Sequence, residues 1–373
     1  MPKTISDLLN APRLVVKVGS SLLVDPTGAV RTRWLARFAE DIRDLKRKGQ
    51  DIVIVSSGAI ALGAARLHLD KGGRGSLADA QAAASVGQIG LASLWSEMLG
   101  AHGLVAAQLL VTLSDLEDRR RYLNAAATLA RLLDADAIPV INENDSIATE
   151  EIRFGDNDRL AARVAQVAQA QAVALLSDVD GLYDGDPRAE NSRLIPLVER
   201  VTPEIMEMAV PGIGSGIGSG GMASKLEAAQ IADRAGIPLA IINGTHEAPL
   251  SRAASDARGT IFAAQRGARA RQVWLGGRLA PAGTLIVDAG CATALADGAS
   301  VLAAGITGIE GEFRRGDLVV IVDANGRRMA QGLAEYGAQE CRTIMGLSQA
   351  QQAARLGYAP RAAVVHRDHM VLL

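Results

Sequence analysis

Apolar residues in this chain fall either into short unbroken runs or into segments that recur every three to four positions, and the two textures alternate. Leu14-Val-Val-Lys-Val-Gly19 is a β-branched run ending in glycine. Trp34, Leu35, Phe38, Ile42 and Leu45 then share one helical face until Gly49, and Asp51-Ile-Val-Ile-Val-Ser56 reads as a buried strand. The alternation continues with a helix over 80–99, a strand over 105–111 and a helix opened by Ser114 with Glu117 as its capping partner. A strand over 137–141, a helix from Asn157 to about Ala170 and a strand over 172–176 follow. Near-continuous apolar strands separated by helices predict a doubly wound α/β domain, an open, mostly parallel sheet sandwiched by helices.

Beyond Phe262 the texture changes. Arginines at 266, 269, 271 and 278 punctuate a glycine-containing stretch that reads as a linker, after which short strands such as Leu285–Val287 and Leu318–Val322 alternate with Gly and Asp turns. The expected organisation is a catalytic domain over 1–265, a linker over 266–280, a small β-rich domain over 281–359 and a C-terminal tail over 360–373. At 373 residues the chain exceeds the size at which single cores stop growing, which agrees with two domains.

Open α/β sheets bind ligands outside the carboxyl ends of their strands, so the residues there carry the chemistry. They are polar: Lys17, Gly19, Ser20 and Ser21; Ser56, Ser57 and Gly58; Asn142, Glu143, Asn144 and Asp145; Ser177, Asp178 and Asp180. Each group alone is ordinary turn chemistry, but four at one sheet edge suggest a site. A further stretch, from Pro211 to Lys225, has six glycines in fifteen residues and must be a loop. Ser224 and Glu227 form a capping pair for the helix that follows, with Leu226, Ala229 and Ala232 on its inner face, so Lys225 stands at a helix start. Glycine backbone, a helix N-terminus and a lysine together suit an anion such as a nucleotide phosphate. A flexible surface loop with a solvated lysine fits the same residues. The Walker pattern is absent, and the formal G-x-G-x-x-G at Gly216, Gly218 and Gly221 lacks both its leading strand and its acidic residue downstream.

Hydrophobic residues make up 49% of the chain, and no unbroken apolar run approaches the ~20 needed to span a bilayer. The start of the chain has no apolar segment of the signal-peptide kind, and the cysteines are Cys291 and Cys341 alone, so a reduced, cytoplasmic protein is expected. A net charge of −2 gives no general attraction to nucleic acid or anionic lipid. Over 281–359, six Arg and no Lys stand against eight acidic residues, poor material for tracking phosphates, so nucleic acid is not an expected partner. His366 and His369, without a cysteine or third histidine nearby in sequence, read as a solvated pair rather than a metal site.

In this order the motifs resemble the amino acid kinase family, and within it the branch that acts on glutamate. The residues carrying the match are Val15–Ser20, Val55–Ile60, Pro139–Asp145, Phe154–Asp158, Ser177–Tyr183 with Asp186-Pro187, and Ser219–Lys225. The C-terminal part resembles a PUA domain through Val287–Gly290, Gly298–Leu302, Gly305-Ile306 and Gly316-Asp317.

The resemblance implies ATP-dependent phosphorylation of the γ-carboxylate of L-glutamate, with Mg²⁺ carried on the nucleotide. It makes Lys17 and Lys225 the groups on the transferring phosphate and Asp158 the organiser that holds both. It assigns the nucleotide to Lys17, Gly19, Ser177, Asp178 and the run Ser219, Gly220, Gly221, Met222, Ala223, Ser224 and Lys225. It assigns glutamate to Ser57, Asp145 and Asn157, with Asn142 nearby. No metal ligands are assigned to the protein. It further implies the first step of proline biosynthesis, proline as a competing inhibitor, and handover of the labile product to glutamyl phosphate reductase; a homo-oligomer is expected. A sibling kinase acting on aspartate or acetylglutamate, and an RNA-binding PUA protein, are the alternatives.

Overall fold

The computed structural model describes residues 2–25, 27–147, 156–189, 191–209, 221–264 and 281–373, apart from the side chain of Asp156. The chain divides into two compact units. The second is made of Asp118–Leu123 and Gly267–Leu373, described from residue 281 onward.

The first unit is built on an eight-stranded sheet of order β3-β4-β2-β1-β5-β7-β8-β6. Its strands are β1 (Arg13–Val18), β2 (Asp51–Ser56), β3 (Ala106–Val111), β4 (Ile138–Glu143), β5 (Ala172–Ser177), β6 (Leu197–Val198), β7 (Leu239–Asn243) and β8 (Thr260–Phe262). From β3 to β7 neighbouring strands are parallel; β8 runs antiparallel to β7 and parallel to β6. Central strands are buried along nearly their whole length, as a sheet covered on both faces requires.

The helices are α1 (Ile5–Leu9), α2 (Ser20–Leu23), α3 (Thr32–Arg47), α4 (Ala59–Leu67), α5 (Leu77–Gly100), α6 (Leu113–Glu117), α7 (Arg119–Asp134), α8 (Asp156–Val167), α9 (Pro203–Glu207), α10 (Met222–Arg234) and α11 (Pro249–Asp256). The five residues on the expected face of α3 are all buried, and Trp34 stacks on Phe38 with ring centroids 5.3 Å apart. One core cluster joins that face to Leu14, Val16, Val18, Ile52, Ile54 and Trp95.

Two expected helix starts are corrected. Thr112, not Ser114, opens α6: its hydroxyl accepts from the Asp115 amide at 3.1 Å, and the Asp115 carboxylate accepts the Thr112 amide at 2.7 Å. In α10 the helix starts at Met222 with Gly221 as N-cap, which puts Ser224 inside the first turn rather than before it. In both places the Ser-x-x-Glu pattern falls inside the helix rather than at its N-cap. The glycine loop ahead of Gly221 lies outside the described residues.

The second unit holds a five-stranded sheet of order β10-β9-β11-β12-β13, from β9 (Gly283–Val287), β10 (Ile306–Gly311), β11 (Leu318–Val322), β12 (Arg328–Leu333) and β13 (Met370–Leu372). Helices Ala289–Ala296, Ala338–Ile344 and Gln349–Leu356 accompany it. Residues 360–373, expected as a tail, supply the edge strand β13 and the buried Val364 and Val365. His369 is buried, not solvated, with Nδ1 3.6 Å from Glu335 Oε1. This unit has its own apolar cluster, drawn from residues between Leu285 and Met370.

Candidate active site

Alternation along β1 sends Val16 and Val18 into the core cluster and turns Lys17 to the opposite face of the sheet. There its ammonium meets Asp158, the third residue of α8, at 2.6 Å. Lys225, in the first turn of α10, reaches the other carboxylate oxygen of Asp158 at 3.1 Å. Asp158 has no exposed surface, and the two lysines are 6% and 7% exposed. Burial alone would raise the Asp158 carboxyl, but the Lys17 and Lys225 ammonium groups outweigh it and hold the carboxyl below the usual carboxylate range. Burial pushes Lys17 below its usual value, against the pull of Asp158 and with help from the charge on Lys225. Two ammonium groups on one carboxylate leave one net positive charge in a place shielded from water. Such a cluster suits an incoming anion.

A second constellation lies one residue away. Ser57 follows β2, where Gly58 takes a φ of 114° that a side chain would resist and so turns the chain into α4. The Asn157 amide nitrogen donates to Ser57 Oγ at 2.8 Å and to Asn142 Oδ1 at 3.2 Å. Asn142 Oδ1 also accepts the backbone amide of Glu143 at 2.9 Å, and Asn142 Nδ2 donates to Gln88 Oε1 at 2.8 Å. Asn157 Oδ1 is buried with no hydrogen-bond partner among the described residues. Asp145, in the turn after β4, is buried too, and its charge acts on Arg74 against the burial that lowers the Arg74 pKa.

The remaining expected residues surround these two sets. Gly19 is the N-cap of α2, and a Cβ placed on it would lie 3.7 Å from the Lys17 ammonium. Ser177 ends β5, with its hydroxyl 3.3 Å from Asp178 Oδ1. Asp178 lines a cavity of about 560 Å³ together with Ser21, Arg31, Thr32 and Thr245. Gly221, Met222, Ala223 and Ser224 form the start of α10 ahead of Lys225, whereas Ser219 and Gly220 lie outside the described residues. Asp180 serves a different purpose. Asn243, Tyr183 and Arg258 bond its carboxylate at 2.8, 3.1 and 2.7 Å, pinning the turn after β5.

Residues 12–243 match the amino acid kinase family. The chain belongs to that family. Residues 283–354 match the PUA domain. The chain is 59% identical to the glutamate 5-kinase of Novosphingobium aromaticivorans, over 97% of this chain and 96% of that one. It is 60% identical to the glutamate 5-kinase of Sphingopyxis alaskensis, over 98% of each. It is 54% identical to that of Zymomonas mobilis, over 98% of this chain and 92% of the other. A solved UMP kinase of Bacillus anthracis superposes with a TM-score of 0.47 at 14% identity, covering 69% of this chain and 97% of its own.

Within this amino acid kinase, two residues at the site escape sequence reasoning. Gln88 sits in the Ala- and Gly-rich middle of α5, and Arg74 in the loop before that helix. Neither belongs to a motif. Gln88 follows Gly87, where a Cβ would come within 1.8 Å of Ala59 O, so a tight helix crossing is the one local sign that position 88 is held in place.

Proposed function

We propose that the chain transfers the γ-phosphoryl group of ATP to the γ-carboxylate of L-glutamate, giving L-glutamyl 5-phosphate. The observation that carries this is the buried Lys17, Asp158 and Lys225 cluster beside the amide and hydroxyl set at Ser57, Asn142 and Asn157. Its support from the comparisons is the name glutamate 5-kinase on relatives at 59–60% identity over nearly the full chain.

Transfer between two anions needs positive charge where the phosphoryl oxygens accumulate it, and in-line positioning. Lys17 and Lys225 supply that charge, each held by one carboxylate oxygen of Asp158, which fixes their ammonium groups so that little reorganisation is required during transfer. No general base is needed, because the accepting carboxylate is ionised at neutral pH. Mg²⁺, which sheds water reluctantly and would arrive on the nucleotide, would neutralise phosphate charge there. Gly19, Ser177, Asp178 and the start of α10 border the nucleotide, and of these Asp178 also lines the neighbouring cavity.

Ser57, Asp145, Asn142 and Asn157 hold glutamate, with Asp145 accepting from its ammonium. The same reading places the reaction first in proline biosynthesis. The labile acyl phosphate then passes to glutamyl phosphate reductase. Proline shares the α-carboxylate and a secondary ammonium but lacks an acceptor carboxylate, so its inhibition should fade as glutamate is raised and weaken in Asp145→Ala.

Trapping the acyl phosphate with hydroxylamine tests the assignment. Hydroxamate is expected with L-glutamate and MgATP; its absence, with turnover of aspartate or acetylglutamate instead, overturns it.

A further inference from the structure

Resting on the glutamate reading above, we propose that Gln88 is a positioning residue that holds Asn142 against Asn157, keeping the Asn157 oxygen turned to the substrate, and through it supports the preference for an amino acid over a plain dicarboxylate. One donor in this set of contacts admits no ambiguity. The backbone N–H of Glu143 donates to Asn142 at 2.9 Å, so the Asn142 atom it meets is the oxygen and the other is the NH2. That NH2, on a side chain only 2% exposed, requires an acceptor, and Gln88 Oε1 provides one at 2.8 Å.

With Asn142 so fixed, its oxygen can face only a donor on Asn157. The Asn157 NH2 therefore points to Asn142 and to Ser57 Oγ, at 3.2 and 2.8 Å, and both of its hydrogens are used. What remains is Oδ1, buried and without a partner among the described residues. A buried carbonyl oxygen left open is costly unless a ligand donor fills it, and the donor glutamate brings is its α-ammonium. The Glu143 N–H thus sets the sense of both amides, and Gln88, two residues removed from the substrate, anchors Asn142 against Asn157 so that the acceptor stays in place.

Gln88 and Asn142 also line a cavity of about 210 Å³ with Trp95, Ser96 and Gln108. Once the Gln88 acceptor is removed, Asn142 has room to swing away from Asn157.

The test compares L-glutamate with glutarate, which keeps both carboxylates and lacks the ammonium, in the full-length chain and in Gln88→Ala. Gln88 is half-buried on a helix, where alanine is well tolerated. In Gln88→Ala, KM for glutamate should rise about tenfold, the cost of one mispaired buried group. The turnover number and KM for MgATP should change less than about threefold, and kcat/KM for glutarate should stay near the parent value, so that the glutamate-to-glutarate ratio falls about tenfold. Gln88→Met, which keeps the side-chain length without an acceptor, should behave the same way, so the outcome does not depend on one variant. Equal losses on both substrates, a parallel fall in turnover, or an unchanged ratio in either variant would overturn the proposal. A parent chain with no turnover of glutamate at all would instead overturn the function assigned above.

Discussion

Asp158 keeps its charge with no exposed surface because two ammonium groups touch it, and each of the three would be costly to bury alone. Lys225→Ala should lower turnover by about 10²–10³ while glutamate saturation changes much less, as loss of one preorganised charge on a transition state does. Steady-state kinetics with both substrates varied would check it, and near-parental turnover would remove Lys225 from the reaction. Asp158→Asn should destabilise the fold by on the order of 3 kcal/mol at neutral pH, since it leaves two buried ammonium groups with a neutral partner. The sign of its pH dependence follows from the depressed carboxyl. Its folded pKa lies below the ordinary 3.8, so its contribution is complete above that value and is lost as pH falls through the folded value. Melting temperatures recorded from pH 7 down to 3 should show the gap between parent and variant closing below about pH 4. At this scale the sequence reveals types and positions: Lys17, Ser57, Asn142, Asp145, Asn157 and Asp158 all stand at strand ends or helix starts. Partnership is hidden, because Gln88 and Arg74 reach the site from chain far from it, and no local pattern distinguishes a half-buried glutamine from a surface one.

Helices α4 and α5 meet backbone to backbone. A Cβ on Gly63 would lie 1.8 Å from Ala83 O, and one on Gly87 would lie 1.8 Å from Ala59 O. Ser57 precedes α4 and Gln88 lies on α5, so this crossing sets the separation of two site residues. Gly87→Ala should therefore destabilise, overpacking costing about 1–3 kcal/mol against the ~1 kcal/mol that alanine gains in a helix. KM for glutamate should rise with it. Gly100→Ala, at the open end of α5 with nothing within 4 Å, should be neutral or stabilising. Thermal melts of the two variants check the contrast, and a Gly87→Ala protein as stable as the Gly100→Ala one would show that the crossing can relax. Helix and strand periodicity made α3, α5 and the central strands legible. It could not reveal α4, whose nine residues are mostly small and apolar and mark no outer face, nor β6 and β8, two and three residues long. Helix starts were misplaced where serine and glutamate recur inside a helix.

The change of texture after Phe262 announces a second unit, yet the span assigned to it from sequence ended too early. Residues 360–373 look like a tail because strand β13 is three residues long, and only its pairing with β12 reveals it. Among the described residues each unit has apolar clusters of its own: those of the first draw on residues between Ile5 and Ile261, and that of the second on Leu285 to Met370. Cooperative melting arises within a core, and each unit has one, so two unfolding events are expected. Scanning calorimetry should resolve two transitions. L-glutamate with a non-hydrolysable ATP analogue should raise only the one that belongs to the first unit, by mass action on the folded state. A single transition moved as a whole by those ligands would mean the units unfold together. Two transitions would mean that no one melting temperature describes the protein, and that ligand protection measured by a global probe understates what the kinase unit gains.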